Sequence, residues 1–155
     1  MLYRLYAPAD FDALYAIEEV CFRPPLRFSR RYIRQLVDNP DAAAWIAEED
    51  AQIAGFVVVD WAQRRGLIAA YVQTLEVLPE YRGKGIAAEL LRRSERSAHA
   101  AGATQITLHV DENNAAALLL YEKSGYIGMG RVPNYYPTGS AALVYGKPLQ
   151  PLQNG

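Results

Sequence analysis

The apolar stretch from Leu67 to Val77 runs through Pro79 and Tyr81 into Arg82-Gly83-Lys84-Gly85-Ile86-Ala87, and a long helical pattern starts at once. A strand that turns so tightly into a helix commits the chain to layering that helix on the strand's own sheet. Two glycines let the backbone turn with its N–H groups outward, and the helix start adds partial positive charge. Arg82 and Lys84 add full charges, so the turn suits a phosphorylated ligand such as a pyrophosphate. It is not a P-loop, because Lys84 precedes the second glycine and Ile86 follows it. The dinucleotide fingerprint wants a third glycine where Ala88 stands, although alanine is sometimes accepted there. The alternative is a strand-to-helix turn whose glycines serve geometry alone.

The rest of the chain reads around this junction. Leu2 to Ala7 is a short strand, and Asp10 is the expected N-cap of a helix through Phe22 with Phe11, Leu14, Ile17 and Cys21 on one face. Pro24-Pro25 ends it. Ser29 caps a second helix, stopped by Asn39-Pro40. Ala43 to Glu48 and Ile53 to Trp61 read as a hairpin, and Leu67 to Val77 as the third strand of a meander. The helix after the glycine turn closes at Gly102, a strand follows over Gln105 to Val110, and Ala115 to Lys123 is a short helix. Strands at Tyr126 to Val132 and Ala141 to Lys147 complete the order, which predicts a mixed α/β sheet with helices on both faces. Residues 1–148 read as one domain and 149–155 as a loose tail.

Composition narrows the function classes. With 16 Lys+Arg against 17 Asp+Glu the net charge is −1, so no global field exists to hold nucleic acid or an anionic membrane. Cys21 is the single cysteine, and no His, Asp or Glu group has metal-ligand spacing, so neither a disulfide nor a metal is expected. There is no run of ~20 apolar residues and no signal-peptide pattern, and a cytoplasmic monomer or homodimer is the expectation.

The residues also carry a family likeness. Arg82, Gly85 and Ala87 fit an acetyl-CoA motif, and Leu108-His109-Val110, Asn114, Ala117 and Leu120-Tyr121-Glu122-Lys123-Ser124-Gly125-Tyr126 fit the strand and helix that follow it. In both, and in their order, the chain resembles the GNAT family of N-acetyltransferases over its whole length. The resemblance implies a single-domain, mostly antiparallel sheet with a splayed central strand pair, and acetyl-CoA as co-substrate. Within the family the likeness is to enzymes that acetylate protein N-termini. Many of these carry Glu where His109 stands; others have His there with a partner at the position of Tyr71, and an Asn-Tyr-Tyr loop matched by Asn134-Tyr135-Tyr136.

The likeness thus implies His109 and Tyr71 as the proton-moving pair and Tyr121 as general acid beside the coenzyme sulfur. It assigns Leu75, Val77, Arg82, Gly83, Lys84, Gly85, Ile86, Ala87, Asn114 and Tyr121 to the coenzyme. Phe22, Pro24, Glu76, Tyr135 and Tyr136 fall to the peptide. An α-amine titrates near ~8 and a lysine near ~10.4, so an N-terminus needs only a weak base. A histidine near ~6.5 suffices. The N–H of Val77 is the expected oxyanion donor. Alternation leaves open which sheet face His109 takes, and Glu76 is a rival base. Acetylation of a small amine, or a non-catalytic acyl-CoA sensor, are the alternatives.

Overall fold

A computed structural model describes residues 1–149. Seven strands form one sheet in the order β1-β2-β3-β4-β5-β7-β6: β1 (Leu2–Leu5), β2 (Ala42–Glu49), β3 (Gln52–Arg64), β4 (Leu67–Val77), β5 (Ala103–Asp111), β6 (Ile127–Val132) and β7 (Ala142–Pro148). All neighbours pair antiparallel except β4 and β5. That pair needs a crossover, which α3 (Ile86–Ala100) supplies. The mixed, mostly antiparallel sheet is the one expected.

Two apolar layers sandwich it. On one face α1 (Phe11–Cys21) and α2 (Arg30–Asp38) bury Phe11, Leu14, Ile17, Ile33 and Leu36 against Ala44, Ile46, Phe56 and Val58. On the other, α3 and α4 (Ala115–Lys123) bury Ile86, Leu90, Leu91, Ala98 and Tyr121 against Val57, Val59, Val72, Ile106, Leu108 and Val110. Helix starts follow the expected chemistry at two places, where Ser29 accepts the Tyr32 N–H and Asn114 the Ala117 N–H, each at 3.1 Å. Asp10 departs from it. Its carboxylate makes no cap on α1 but takes two 2.8 Å bonds from Arg4 and one from the Ala7 N–H. Charged donors outcompete a helix amide for that acceptor.

The chain's end differs too. Leu149, assigned to the tail by sequence, is buried, and its N–H donates to the Thr104 carbonyl at 2.9 Å. The remainder of that tail, residues 150–155, lies outside the described residues. No helix among the described residues is long and apolar enough to cross a membrane.

The central pair β4 and β5 is hydrogen-bonded only from Ile68–Tyr71 against Ala103–Thr107. Beyond that point β4 stays with β3 as far as Val77, while β5 stays with β7 as far as Asp111. The two strands therefore part, opening a cleft at the sheet's middle. Opposite Val58 and Val59 the β4 register skips Gln73, a bulge immediately after the last β4–β5 pair.

Candidate active site

The cleft opens onto a groove of about 590 Å³ between the end of β4, the glycine turn and α4. Leu75, Val77, Arg82, Gly83, Gly85, Ile86, Ala87, Asn114 and Tyr121 line it, together with Cys21, Phe22 and Glu76. Gly83 and Gly85 stand at φ +78° and +81°, and a Cβ on either would meet nothing within 4 Å. No side chain caps α3 at Gly85. A left-handed turn leading into an uncapped helix start leaves its amides free for an anion.

The two basic residues of the turn behave differently from the sequence expectation. Arg82 folds back: its Nε donates to the Val77 carbonyl at 2.9 Å and its Nη2 lies 3.6 Å from Cys21 Sγ. Lys84 does not line the groove; its Nζ sits 5.4 Å from the centre of the Tyr81 ring. What the turn presents to the groove is therefore chiefly backbone. Asn114 spends its side-chain oxygen capping α4 while also lining the groove.

Backbone alternation fixes where Val77 points. Leu78 donates its N–H to Ala54 of β3, so the N–H and carbonyl of Val77 face the opposite way, into the cleft left by β5. The Arg82 bond to that carbonyl is consistent with this orientation.

A second cluster lies on the sheet face opposite α3. Leu108 and Val110 point into the α3 layer, which puts His109 on the other side and settles what alternation left open. There the Tyr71 hydroxyl and His109 Nδ1 are 2.7 Å apart. Tyr135 stacks on the imidazole at 4.6 Å with 6° between the planes, and Tyr136 meets Tyr135 edge-on at 4.9 Å. Burial holds His109 below the usual histidine range, so it is neutral at pH 7. Burial pushes Tyr71 up, with Tyr135 adding to the shift, and holds Tyr136 at about 12. Both phenols keep their protons.

Tyr121 is buried and makes no hydrogen bond through its hydroxyl among the described residues; burial, then Tyr136, raise it to about 12. Phe22 is half-buried on the groove wall, while Pro24 and Tyr135 are exposed and do not line the groove. Glu76 does not join the histidine. Its carboxyl accepts from the Thr74 hydroxyl at 2.6 Å, faces Glu18, and is pushed up to about 10 by burial and then by Glu18. A carboxyl that keeps its proton at pH 7 accepts none, which argues against Glu76 as the base while leaving it on the groove wall. Sequence reasoning passed over Glu18 and Tyr81. Each sits in an otherwise ordinary helix or turn pattern, with no local signal beyond a charge at an inward-facing helix position.

The model of the acetyltransferase (GNAT) family matches residues 11–126. The chain belongs to that family. An N-alpha-acetyltransferase MAK3 of Arabidopsis thaliana is 32% identical over 111 residues, 69% of this chain and 58% of the relative, so the chain spans somewhat over half that protein's length. Among solved structures, the ribosomal-protein-S18-alanine N-acetyltransferase of Escherichia coli superposes with a TM-score of 0.85 at 22% identity, over 99% of this chain and 97% of that one. Arabidopsis thaliana NAA60 in complex with acetyl-CoA gives 0.84 at 20% identity, over 96% and 98%. These superpositions show the fold. Among the described residues no three His, Cys, Asp or Glu groups gather as metal ligands would.

Proposed function

We propose that this GNAT acetyltransferase uses acetyl-CoA to acetylate the α-amine of a protein or peptide N-terminus. The observation that carries the reading is the Tyr71–His109 pair, hydrogen-bonded at 2.7 Å and roofed by the Tyr135–Tyr136 loop at the open end of the cleft. Relatives named for N-terminal acetylation support it.

The groove fits the coenzyme: free amides at Gly83 to Ala87 for the diphosphate, and an apolar wall of Leu75, Val77 and Ile86 for the arm. Acetyl-CoA supplies an acyl carbon activated as a thioester. The Val77 N–H, unpaired toward the cleft, is placed to donate to developing negative charge on a carbonyl oxygen. Tyr71 takes a proton from the amine, directly or through one water, and passes its own to His109 Nδ1. Neutral His109 has room for it. Tyr121, which keeps its proton and has no partner among the described residues, gives that proton to the departing thiolate. An α-amine near ~8 needs nothing stronger than this imidazole, whereas a lysine near ~10.4 would.

The test follows free thiol as the protein meets acetyl-CoA and peptides beginning Met, Ala or Ser, with mass spectrometry locating the acetyl group. Thiol release with acetylation on the α-amine is expected. Turnover on small amines alone, or coenzyme binding with no release on any amine, overturns the reading.

A further inference from the structure

Glu18 on α1 and Glu76 on β4 are 0% and 3% exposed, and each keeps one carboxyl oxygen, Oε1, with no donor among the described residues. Their other oxygens are occupied: Glu18 Oε2 accepts the Phe28 N–H at 3.0 Å, and Glu76 Oε2 accepts from Thr74 at 2.6 Å. α1 packs on β4 here, and Glu76 is pushed up by burial first and then by Glu18 as its carboxyl neighbour. Among the described residues no Arg or Lys bonds either of them. Two buried carboxylates face to face cannot both carry charge, and one proton between them satisfies both orphaned oxygens at once.

We propose that Glu18 and Glu76 are positioning residues: one proton shared between them ties α1 and the loop after it to the cleft end of β4, and so holds the peptide wall. This deepens the N-terminal reading above and rests on it. The tie runs from β4 through Glu76 and Glu18 to the Phe28 amide, and the loop it anchors carries Phe22 and Pro24. Leu75 and Val77, which flank Glu76, pack on the α3 side of the sheet, and all three border the groove. Loss of the proton leaves two anions in one buried site. They repel, α1 parts from β4, and the wall loosens while the amides of residues 83–87, fixed by the start of α3, keep their geometry.

The other groups around the pair do not replace that proton. From α1, Cys21 has its thiol pushed up by burial and then by Glu76, and Tyr15 gives its hydroxyl to the Phe28 carbonyl. Arg82, following β4, is committed to Val77 and Cys21, and β3 presents Phe56 opposite Glu76.

Glu76→Gln and Glu18→Gln each supply a permanent N–H in place of the proton, and two measurements decide. Infrared difference spectra, wild type minus Glu76→Gln at pH 7, are expected to show the C=O band of a protonated carboxyl. Its absence overturns the proposal whether or not any peptide is acetylated. In steady-state kinetics the wild-type peptide KM rises by up to about one decade per pH unit above the pair's apparent pKa. The acetyl-CoA KM changes less than about twofold over the same range, because the glycine turn does not move. Both Gln variants hold the alkaline peptide KM near its pH 7 value. An equal alkaline rise in wild type and Gln variants refutes the shared proton.

Discussion

If the proton leaves the amine through Tyr71 to His109, the two residues act in series, and breaking either link breaks the same path. The 2.7 Å bond is partly buried and joins two groups neutral at pH 7, so Tyr71→Phe costs about 1 kcal/mol of stability and leaves the fold intact. General-base catalysis contributes ~10²–10⁴-fold, so Tyr71→Phe and His109→Gln should each lower kcat by about 100-fold, ~2.7 kcal/mol of barrier. In the double variant the loss stays near 100-fold, because the second change removes nothing further. The coupling energy then equals about one whole single effect. The pH profile gives an independent reading. Below the histidine's depressed pKa, log kcat/KM for wild type falls two decades per pH unit, one for the amine and one for the imidazole. His109→Gln falls one. The assay is thiol release on an Ala-initiated peptide from pH 5 to pH 9, assay limits chosen to cover roughly ~6.5 and ~8. Losses that multiply in the double variant, or a two-decade slope that survives in His109→Gln, refute the relay.

Gly85→Ala places a methyl at φ +81° with nothing to clash against, so the cost is backbone strain of about 1 kcal/mol, read by thermal melting. The acetyl-CoA KM should rise and the peptide KM should not. Tyr121→Phe removes a hydroxyl that bonds to nothing among the described residues, so kcat should drop ~10–100-fold while the melting temperature holds; a drop in both makes the hydroxyl structural. Glu76 binds its proton more tightly folded than unfolded, so its contribution to stability is whole below the unfolded value of 4.5 and is lost as pH rises toward about 10. Denaturation free energies should fall with pH across that window by no more than about 1.4 kcal/mol per unit for this one proton, a slope absent in Glu76→Gln.

The elements were legible because local chemistry agreed with the fold at nearly every junction. Hydrophobic periodicity, the Ser29 and Asn114 caps and the glycine stops marked helices and strands to within a few residues. The proposed coenzyme side of the site was readable as a candidate for the same reason, since residues 82 to 87 and the helix start after them are contiguous. What the sequence could not show were relations between distant segments. The Glu18–Glu76 pairing joins residues whose separate patterns say only that each is charged at an inward position. Arg82 looked like a phosphate ligand, and only the nearness of the Val77 carbonyl shows that the guanidinium is already engaged. The face taken by His109 depended on which layer claimed Leu108 and Val110.

The cleft itself depends on Gln73. Tyr71 and Glu76 lie five positions apart and in a regular strand would point to opposite faces. The bulge adds one unpaired residue between them, so both face the α1 side while Val72, Leu75 and Val77 face α3. It falls directly after the final β4–β5 pair, where a bent strand carries β4 away from β5. Deleting Gln73 keeps every other β3–β4 partner and therefore every facing, but takes out the bend. The loss of its 2.8 Å bond to half-buried Asp60 costs about 1–2 kcal/mol. The variant should accordingly fold with a modestly lower melting point, and its β4 should follow β5 further and narrow the cleft. Calorimetry with acetyl-CoA is the decisive measurement, with binding weakened at least about tenfold, ~1.4 kcal/mol. A folded deletion variant that binds acetyl-CoA as wild type does would show that the strands part for some other reason, such as the pull of β7 on β5.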